Sequence, residues 1–165
     1  MTKCIVCDFQ TKQINSFVFK CKKCFFLKSN LAPGHGREIE GISELRKENF
    51  KKIINVIKSI EKTKNLKILE IGSGNGFFIA ECKKENINIT GSEADEEQYQ
   101  KLKKNYDNIL KISLPLKELP NVSNKYDYII FNDVFEHLED LNLVLEQLKT
   151  LLNQDGKILI NLPSS

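Results

Sequence analysis

From position 45 onward, apolar residues recur at helical spacing: Leu45, Phe50, Ile53, Ile54, Ile57 and Ile60, with polar residues between them. The pattern predicts an amphipathic helix over 43–62, with Ser43 as its N-cap. The period then changes. "LKILEIG" reads as a strand, 77–85 as a helix, "NINITGSE" as a second strand and 96–104 as a second short helix. "NILKIS" is a weaker third strand, followed by a proline-broken loop. "YDYIIFND" is apolar almost throughout, as expected of a strand covered on both faces. A helix over 141–152 is expected to bury Leu141, Val144, Leu145, Leu148, Leu151 and Leu152. "QDG" reads as a turn and "KILINLP" as a fifth strand. Strands alternating with helices imply an α/β domain: a parallel sheet with right-handed crossovers and helices on both faces.

The first thirty residues follow different rules. "SFVFKCKKCFFL" alternates and is rich in β-branched and aromatic residues, so a short hairpin is predicted. Four cysteines form two C-x-x-C pairs, Cys4/Cys7 and Cys21/Cys24, thirteen residues apart. Two such turns on neighbouring hairpins can complete a tetrahedral zinc site with no open position for chemistry. So short a head has little core of its own, and bound metal would supply much of its folding energy. A redox pair is the weaker alternative, because neither pair opens a helix in a βαβ unit. Cys82 stands apart, on the apolar side of the helix after 77, and is expected to be a buried structural thiol.

Charge adds little. The net charge is +3 over 165 residues, which does not imply a nucleic-acid or membrane partner. It is unevenly spread. Lys3, Lys12, Lys20, Lys22, Lys23 and Lys28 are opposed in the head only by Asp8. They read mainly as a solvated surface that helps hold thiolates deprotonated; an anionic substrate, phosphate or RNA is the sharper alternative. No apolar run is long enough for a membrane span, and "MTKCIVCDF" has no signal-peptide core. A cytoplasmic protein with reduced thiols is expected. The expected division is a zinc-ribbon-like element over 1–30, a linker or lid over 31–42 carrying Pro33, Gly34, Gly36 and Gly41, and an α/β domain over 43–165. His35, between two glycines, reads as an exposed loop residue.

The sharpest chemical signal is "ILEIGSGNGFF", Ile68 to Phe78. Its loop follows the first strand of the α/β domain, where open parallel sheets bind ligands. Gly72, Gly74 and Gly76 let backbone approach a ligand, and the helix after them presents free N–H groups. The spacing is not that of a dinucleotide loop, because Phe77 stands where the third glycine belongs. Glu70, two residues before the first glycine, would repel a diphosphate and attract an ammonium or a sulfonium.

These residues resemble motif I of class I S-adenosylmethionine-dependent methyltransferases. Glu93, ending the second strand, matches the family's ribose-binding acid. The stretch "YDYIIFNDVFEHLEDLNLVLEQLKTLLNQDGKILINLP" is similar to the region that follows in small-molecule members. The resemblance covers roughly 66–163 and implies a Rossmann-like sheet with S-adenosylmethionine as methyl donor. Gly72, Ser73, Gly74, Gly76 and Phe77 would surround its methionine portion, and Glu70 would order the ammonium. Glu93 would clamp the ribose, with Ala94 and Ser113 on the adenine side beside Ile112 and Leu114. Asn132 and Asp133 would shape the loop beside the ligand. His137 is the candidate catalytic base, with a turn-holding role and catalysis by positioning alone left open. Glu70 has the alternative of capping backbone amides, and Glu93 that of a solvated loop acid.

With its four-cysteine head the chain resembles bacterial enzymes that methylate sugars and other small metabolites, in surface-polysaccharide or natural-product pathways. In that group a glycine usually follows the second cysteine pair, where this chain has Phe25, so a different knuckle is expected. The family fold also carries an antiparallel strand hairpin after the fifth strand. Here "KILINL" would be an exposed edge, which implies a fragment, a covering partner or second copy, or a degenerate descendant. An RNA methyltransferase and a non-catalytic zinc-ribbon binding module are the alternative functions. Against RNA, "NDVF" stands in place of an N-P-P-[FY] motif.

Overall fold

The computed structural model describes residues 2–30, 42–61, 65–117 and 125–162, except the side chains of 42 and 43. The expected lid, with His35, lies outside the described residues. Three short strands, β1 (Thr11–Gln13), β2 (Val18–Cys21) and β3 (Leu27–Ser29), form an antiparallel sheet in the order β1-β2-β3. The remaining elements are α1 (Ile42–Ile60), β4 (Lys67–Ile71), α2 (Phe77–Lys84), β5 (Asn88–Glu93), α3 (Glu96–Asn105), β6 (Ile109–Lys111), β7 (Tyr126–Asn132), α4 (Leu141–Lys149) and β8 (Leu152–Asn161). β4 to β8 form a parallel sheet in the order β6-β5-β4-β7-β8. The order reverses between β4 and β7, so the crevice for a ligand lies at their carboxyl ends.

Strand alternation sends side chains to two cores. Ile68 of β4 and Tyr128 and Ile130 of β7 pack under α1, α2 and α3, against Phe50, Ile54, Phe78, Ile79, Cys82 and Leu102. Leu69, Ile71, Ile129 and Phe131 face the other way, onto Val144 and Leu148 of α4. Glu70 and Asn132 follow this alternation onto the α1/α2 side, at the strand ends where the apolar core gives way to a cavity. Asp127 fixes the opposite end of the strand pair, its carboxylate accepting from the Lys67 amide at 2.8 Å.

Several expected boundaries move. α1 starts at Ile42, so Ser43 lies inside the first turn and is not its cap. Leu45 and Ile60 extend the helical pattern but are 72% and 57% exposed, because the sheet face is narrower than the apolar stripe. α4 ends at Lys149, and Leu152 opens β8. "QDG" is not a turn before the fifth strand. It lies within β8, at an irregularity where Tyr126 pairs with Leu152 and Tyr128 with Lys157. β8 is one edge of the sheet among the described residues, β6 being the other, and Ile160 and, just after the strand, Leu162 are about half exposed. No helix among those residues is long and apolar enough to cross a membrane.

Candidate cofactor cleft and cysteine centre

Gly72, Gly74 and Gly76 all take positive φ, at 71°, 49° and 75°. A Cβ on Gly72 would stand 2.6 Å from a Val134 methyl carbon, whereas one on Gly74 would meet nothing within 4 Å. The first glycine therefore serves packing, and the second leaves open space beside the backbone for a ligand. The loop is held from below. The Ser73 amide donates to the Ser92 carbonyl at 2.8 Å, and Ser73 Oγ accepts from the Ser92 amide at 3.1 Å. From α3, Gln98 Nε2 donates to the Gly74 carbonyl at 2.6 Å and to Asn75 Oδ1 at 3.0 Å.

A cavity of about 310 Å³ opens over this loop. Glu70 and Asn132 line it from β4 and β7, Ser73 and Asn75 from the loop, and Phe77 and Phe78 from α2. Arg46 and Phe50 of α1, with Asp133 and Val134, complete the wall. Glu70 is 2% exposed. Its Oε1 accepts from Asn132 Nδ2 at 2.9 Å, while Oε2 is buried without a hydrogen-bond partner. Burial pushes the carboxyl up to about 7, outweighing the Asn132 amide and the Ser73 hydroxyl, and the negative charge of Glu93 adds to the rise. A buried, unpartnered carboxylate oxygen is costly, and a cationic donor is its natural complement.

Arg46 Nη2 lies 3.5 Å from Asp133 Oδ2, with both side chains partly exposed. A pair this open contributes at most about 1 kcal/mol. The guanidinium has five N–H donors and keeps some of them for a second anion. Phe77 faces the same cavity, and Lys47 Nζ stands 5.6 Å from its ring centre.

Other sequence candidates fall outside this cavity. Glu93 caps backbone: Oε2 accepts from the Gly74 amide at 3.0 Å, and Oε1 from the amides of Ala94 and Asp95 at 2.8 and 3.2 Å. Amide capping, weighed above for Glu70, thus falls to Glu93, whereas Glu70 pairs with a side chain. Ala94 and Ser113 are exposed near the ends of β5 and β6. His137 sits on a 3₁₀ turn, Phe135–His137, with its side chain 52% exposed and Nε2 4.0 Å from Glu136 Oε1. Sequence reasoning missed Arg46, Phe50 and Gln98. Arg46 carried one signal: it is one of two arginines in a chain that otherwise uses lysine. Arginine's planar fork suits carboxylates where lysine's point charge does not.

In the head, the Sγ atoms of Cys4, Cys7, Cys21 and Cys24 all lie within 4.8 Å of one another. Cys4–Cys24, Cys7–Cys21 and Cys7–Cys24 approach to 3.5–3.6 Å. Four thiolates on a tetrahedral zinc sit roughly 3.8 Å apart, given Zn–S bonds of about 2.3 Å. The two knuckles match. The amide two residues on donates to the first sulfur of each pair, Val6 to Cys4 at 3.4 Å and Lys23 to Cys21 at 3.3 Å. The residue after each pair, Asp8 and Phe25, takes positive φ, at 56° and 62°. The knuckle thus keeps its shape without the glycine, contrary to expectation, and Phe25 carries the strain. Left-handed backbone costs a non-glycine residue roughly 1–2 kcal/mol. Phe25→Gly is expected to raise the stability of the metal-loaded head by about 1 kcal/mol, measured as metal retention in a chelator titration; unchanged or faster loss would show that the Phe25 ring offsets the strain.

The sheet, the three-glycine loop and the buried acid beneath it define a class I S-adenosylmethionine-dependent methyltransferase fold. Residues 38–165 match the family described as "Methyltransferase domain", and the chain belongs to that family. A curated relative, the ubiquinone biosynthesis O-methyltransferase of Pelagibacter ubique (strain HTCC1062), is 26% identical over 123 residues, 69% of this chain and 49% of its own length. Among solved structures, the plantazolicin methyltransferase BpumL, in complex with a pentazolic desmethylPZN analog and SAH, is 26% identical with a TM-score of 0.58, covering 75% of this chain and 48% of its own. A SAM-dependent methyltransferase from Archaeoglobus fulgidus is 25% identical with a TM-score of 0.56, covering 70% of this chain and 51% of its own. The chain thus spans about half the length of the relatives it matches.

Proposed function

We propose that the protein transfers a methyl group from S-adenosylmethionine to a small-molecule acceptor, a sugar or another precursor of a surface polysaccharide or natural product. The observation that carries the reading is the unpartnered Oε2 of Glu70, buried beneath an open glycine loop. Its complement is an ammonium group next to a ligand that needs close backbone approach, and the amino-acid end of S-adenosylmethionine meets both requirements. The relatives, a ubiquinone biosynthesis O-methyltransferase and the plantazolicin methyltransferase BpumL, support a small-molecule or peptide acceptor.

Bound S-adenosylmethionine supplies an electrophilic methyl on a sulfonium sulfur. Glu70 would accept from the ammonium, and Arg46, lining the same cavity, would pair with the carboxylate. Gly72, Ser73, Gly74, Gly76 and Phe77 admit the methionine portion, while Asn132 and Asp133 shape the wall beside it. Glu93 serves the ribose. A carboxylate has about four lone-pair sites, and three amides already occupy Glu93, so gripping both ribose hydroxyls requires one amide bond to open. Ala94 and Ser113 flank the adenine side. Transfer of that methyl to the acceptor would leave a proton to be removed from the acceptor by a base of this chain. His137, on an exposed turn near the end of β7, fills that role. In the head, Cys4, Cys7, Cys21 and Cys24 would hold a structural zinc ion. The head lysines, of which Lys12 and Lys20 face each other across the sheet, offset the double negative charge of a zinc tetrathiolate.

Calorimetric titration of the zinc-loaded chain with SAH tests the cofactor reading. Glu93→Ala is expected to weaken binding at least 30-fold, because the ribose contact and the loop's amide cap are lost together. A folded, zinc-loaded chain that binds neither S-adenosylmethionine nor SAH overturns the reading.

A further inference from the structure

Asn132 and Asn161 are register partners at the carboxyl ends of β7 and β8. Asn132 Nδ2 donates to Glu70 Oε1 at 2.9 Å. Asn161 Nδ2 donates to Asn132 Oδ1 at 3.3 Å. Asn49 Nδ2, on α1, donates to Asn161 Oδ1 at 3.2 Å. The three amides form one line, each NH₂ aimed toward Glu70, and the Asn132 and Asn161 side-chain carbonyls each accept from the residue behind. An ionised carboxylate only accepts, so it can be met only by the NH₂ of Asn132. Asn132 then presents its oxygen to Asn161, and Asn161 its oxygen to Asn49. Asn161 also accepts the Asp133 amide on its own carbonyl at 3.0 Å, and Asp133 pairs with Arg46.

We propose that Asn161 is a positioning residue of the cofactor site: through Asn132 it holds the Glu70 carboxylate with Oε2 free toward the cavity, and through Asn49 it ties α1 to that carboxylate. The inference rests on the reading of Glu70 as the ammonium site. Without Asn161, the Asn132 amide is free to turn its oxygen toward Glu70. Two acceptors would then face each other in a buried site, which favours the protonated carboxyl. The other charged and titratable groups around Glu70 are Cys82 from α2, Glu93 from β5, Arg46 from α1 and Asp133 after β7. None of them changes when Asn161 does. The relay also joins the arm that carries Arg46 to the acid opposite, so the two ends of a bound amino acid are set by one hydrogen-bonded unit.

The test is the titration of the Glu70 carboxyl followed by ¹³C NMR in the ligand-free protein, which requires no cofactor binding. Asn161→Leu keeps the side-chain size and removes both hydrogen bonds. Its Glu70 midpoint is expected to lie above that of the parent chain by about half a unit or more, with a smaller shift in the same direction for Asn49→Ala at its exposed site. SAH affinity of Asn161→Leu is expected to fall about 2- to 5-fold at pH 7 and to recover most of the difference at pH 8.5, where Glu70 is ionised in both proteins. A purely structural role would lower affinity equally at both pH values. An unshifted Glu70 midpoint in the two variants overturns the proposal, whatever the affinities do. Failure of the parent chain to bind SAH, with the midpoint shifts present, would overturn the methyltransferase reading and leave the relay standing.

Discussion

Glu70→Gln is expected to weaken SAH binding about 100-fold at pH 8 and, at the same pH, to stabilise the ligand-free chain. The two effects have one origin. Glu70 is fully enclosed, and burial lifts its carboxyl from the usual 4.5 to about 7. Between those values the folded chain holds a proton that the unfolded chain has released. Stability is therefore fully present below about pH 4.5 and declines as pH rises to about 7, a loss on the order of 3 kcal/mol. Glutamine has no charge to bury, so the variant's stability is expected to be flat over the same range. The cofactor reverses the balance. An ammonium beside Oε2 needs the ionised acid, so parent-chain affinity should drop up to tenfold per pH unit below 7, with proton release on binding. Removing one partner of a buried charge pair costs about 2–5 kcal/mol, consistent with the hundredfold loss. Denaturant titrations and calorimetry at pH 5 and 8 check both halves. A glutamine variant with the parent's affinity and pH profile would remove Glu70 from the site.

Chelation of the proposed zinc is expected to unfold the head while the α/β domain stays folded. Among the described head residues only Cys4 and Cys21 are buried; the apolar residues Val6, Phe9, Ile14, Phe17, Phe25 and Leu27 are 43–66% exposed. A three-stranded sheet with no apolar core of its own is marginal in water. Structural zinc supplies on the order of 10 kcal/mol or more to such elements. Against burial, the amides of Cys24 and Lys23 and the neighbouring thiols draw the Cys21 thiol below its usual range, while contact with the other three sulfurs pushes the Cys24 thiol up. Hydrogen exchange should show amide protection across 11–29 lost on metal removal and restored by one equivalent of zinc, with protection across β4 and β7 kept. Cys21→Ser should mimic chelation. Protection of 11–29 that survives complete removal would mean that the head folds without metal.

Much of the cleft was legible in the chain. Alternating apolar runs and helical spacing specified a parallel sheet, because buried strands and amphipathic helices have different periods. The glycine spacing and the acid before it located the ligand loop, and paired C-x-x-C turns located the cysteine centre. Boundaries were less legible. Leu45 and Ile60 continue the helical stripe of α1, yet only packing decides where the sheet stops covering it. "QDG" has turn composition, but pairing with β7 keeps it inside β8. At Phe25, the missing glycine argued for a different knuckle, yet the clustered cysteines hold Phe25 in the left-handed region a glycine would take.

The sequence by itself determined the sheet, the glycine loop, the identity of the buried acid and the four-thiolate set, because each depends on residue type at short spacing. Only the tertiary structure decided what surrounds Glu70. Arg46, Asn49, Asn132 and Asn161 come from α1, β7 and β8, as far as 112 residues apart for the Asn49–Asn161 pair. Strand register and helix docking bring them to one carboxylate. Periodicity along the chain shows which face a side chain takes, whereas a hydrogen bond across elements depends on how those faces meet.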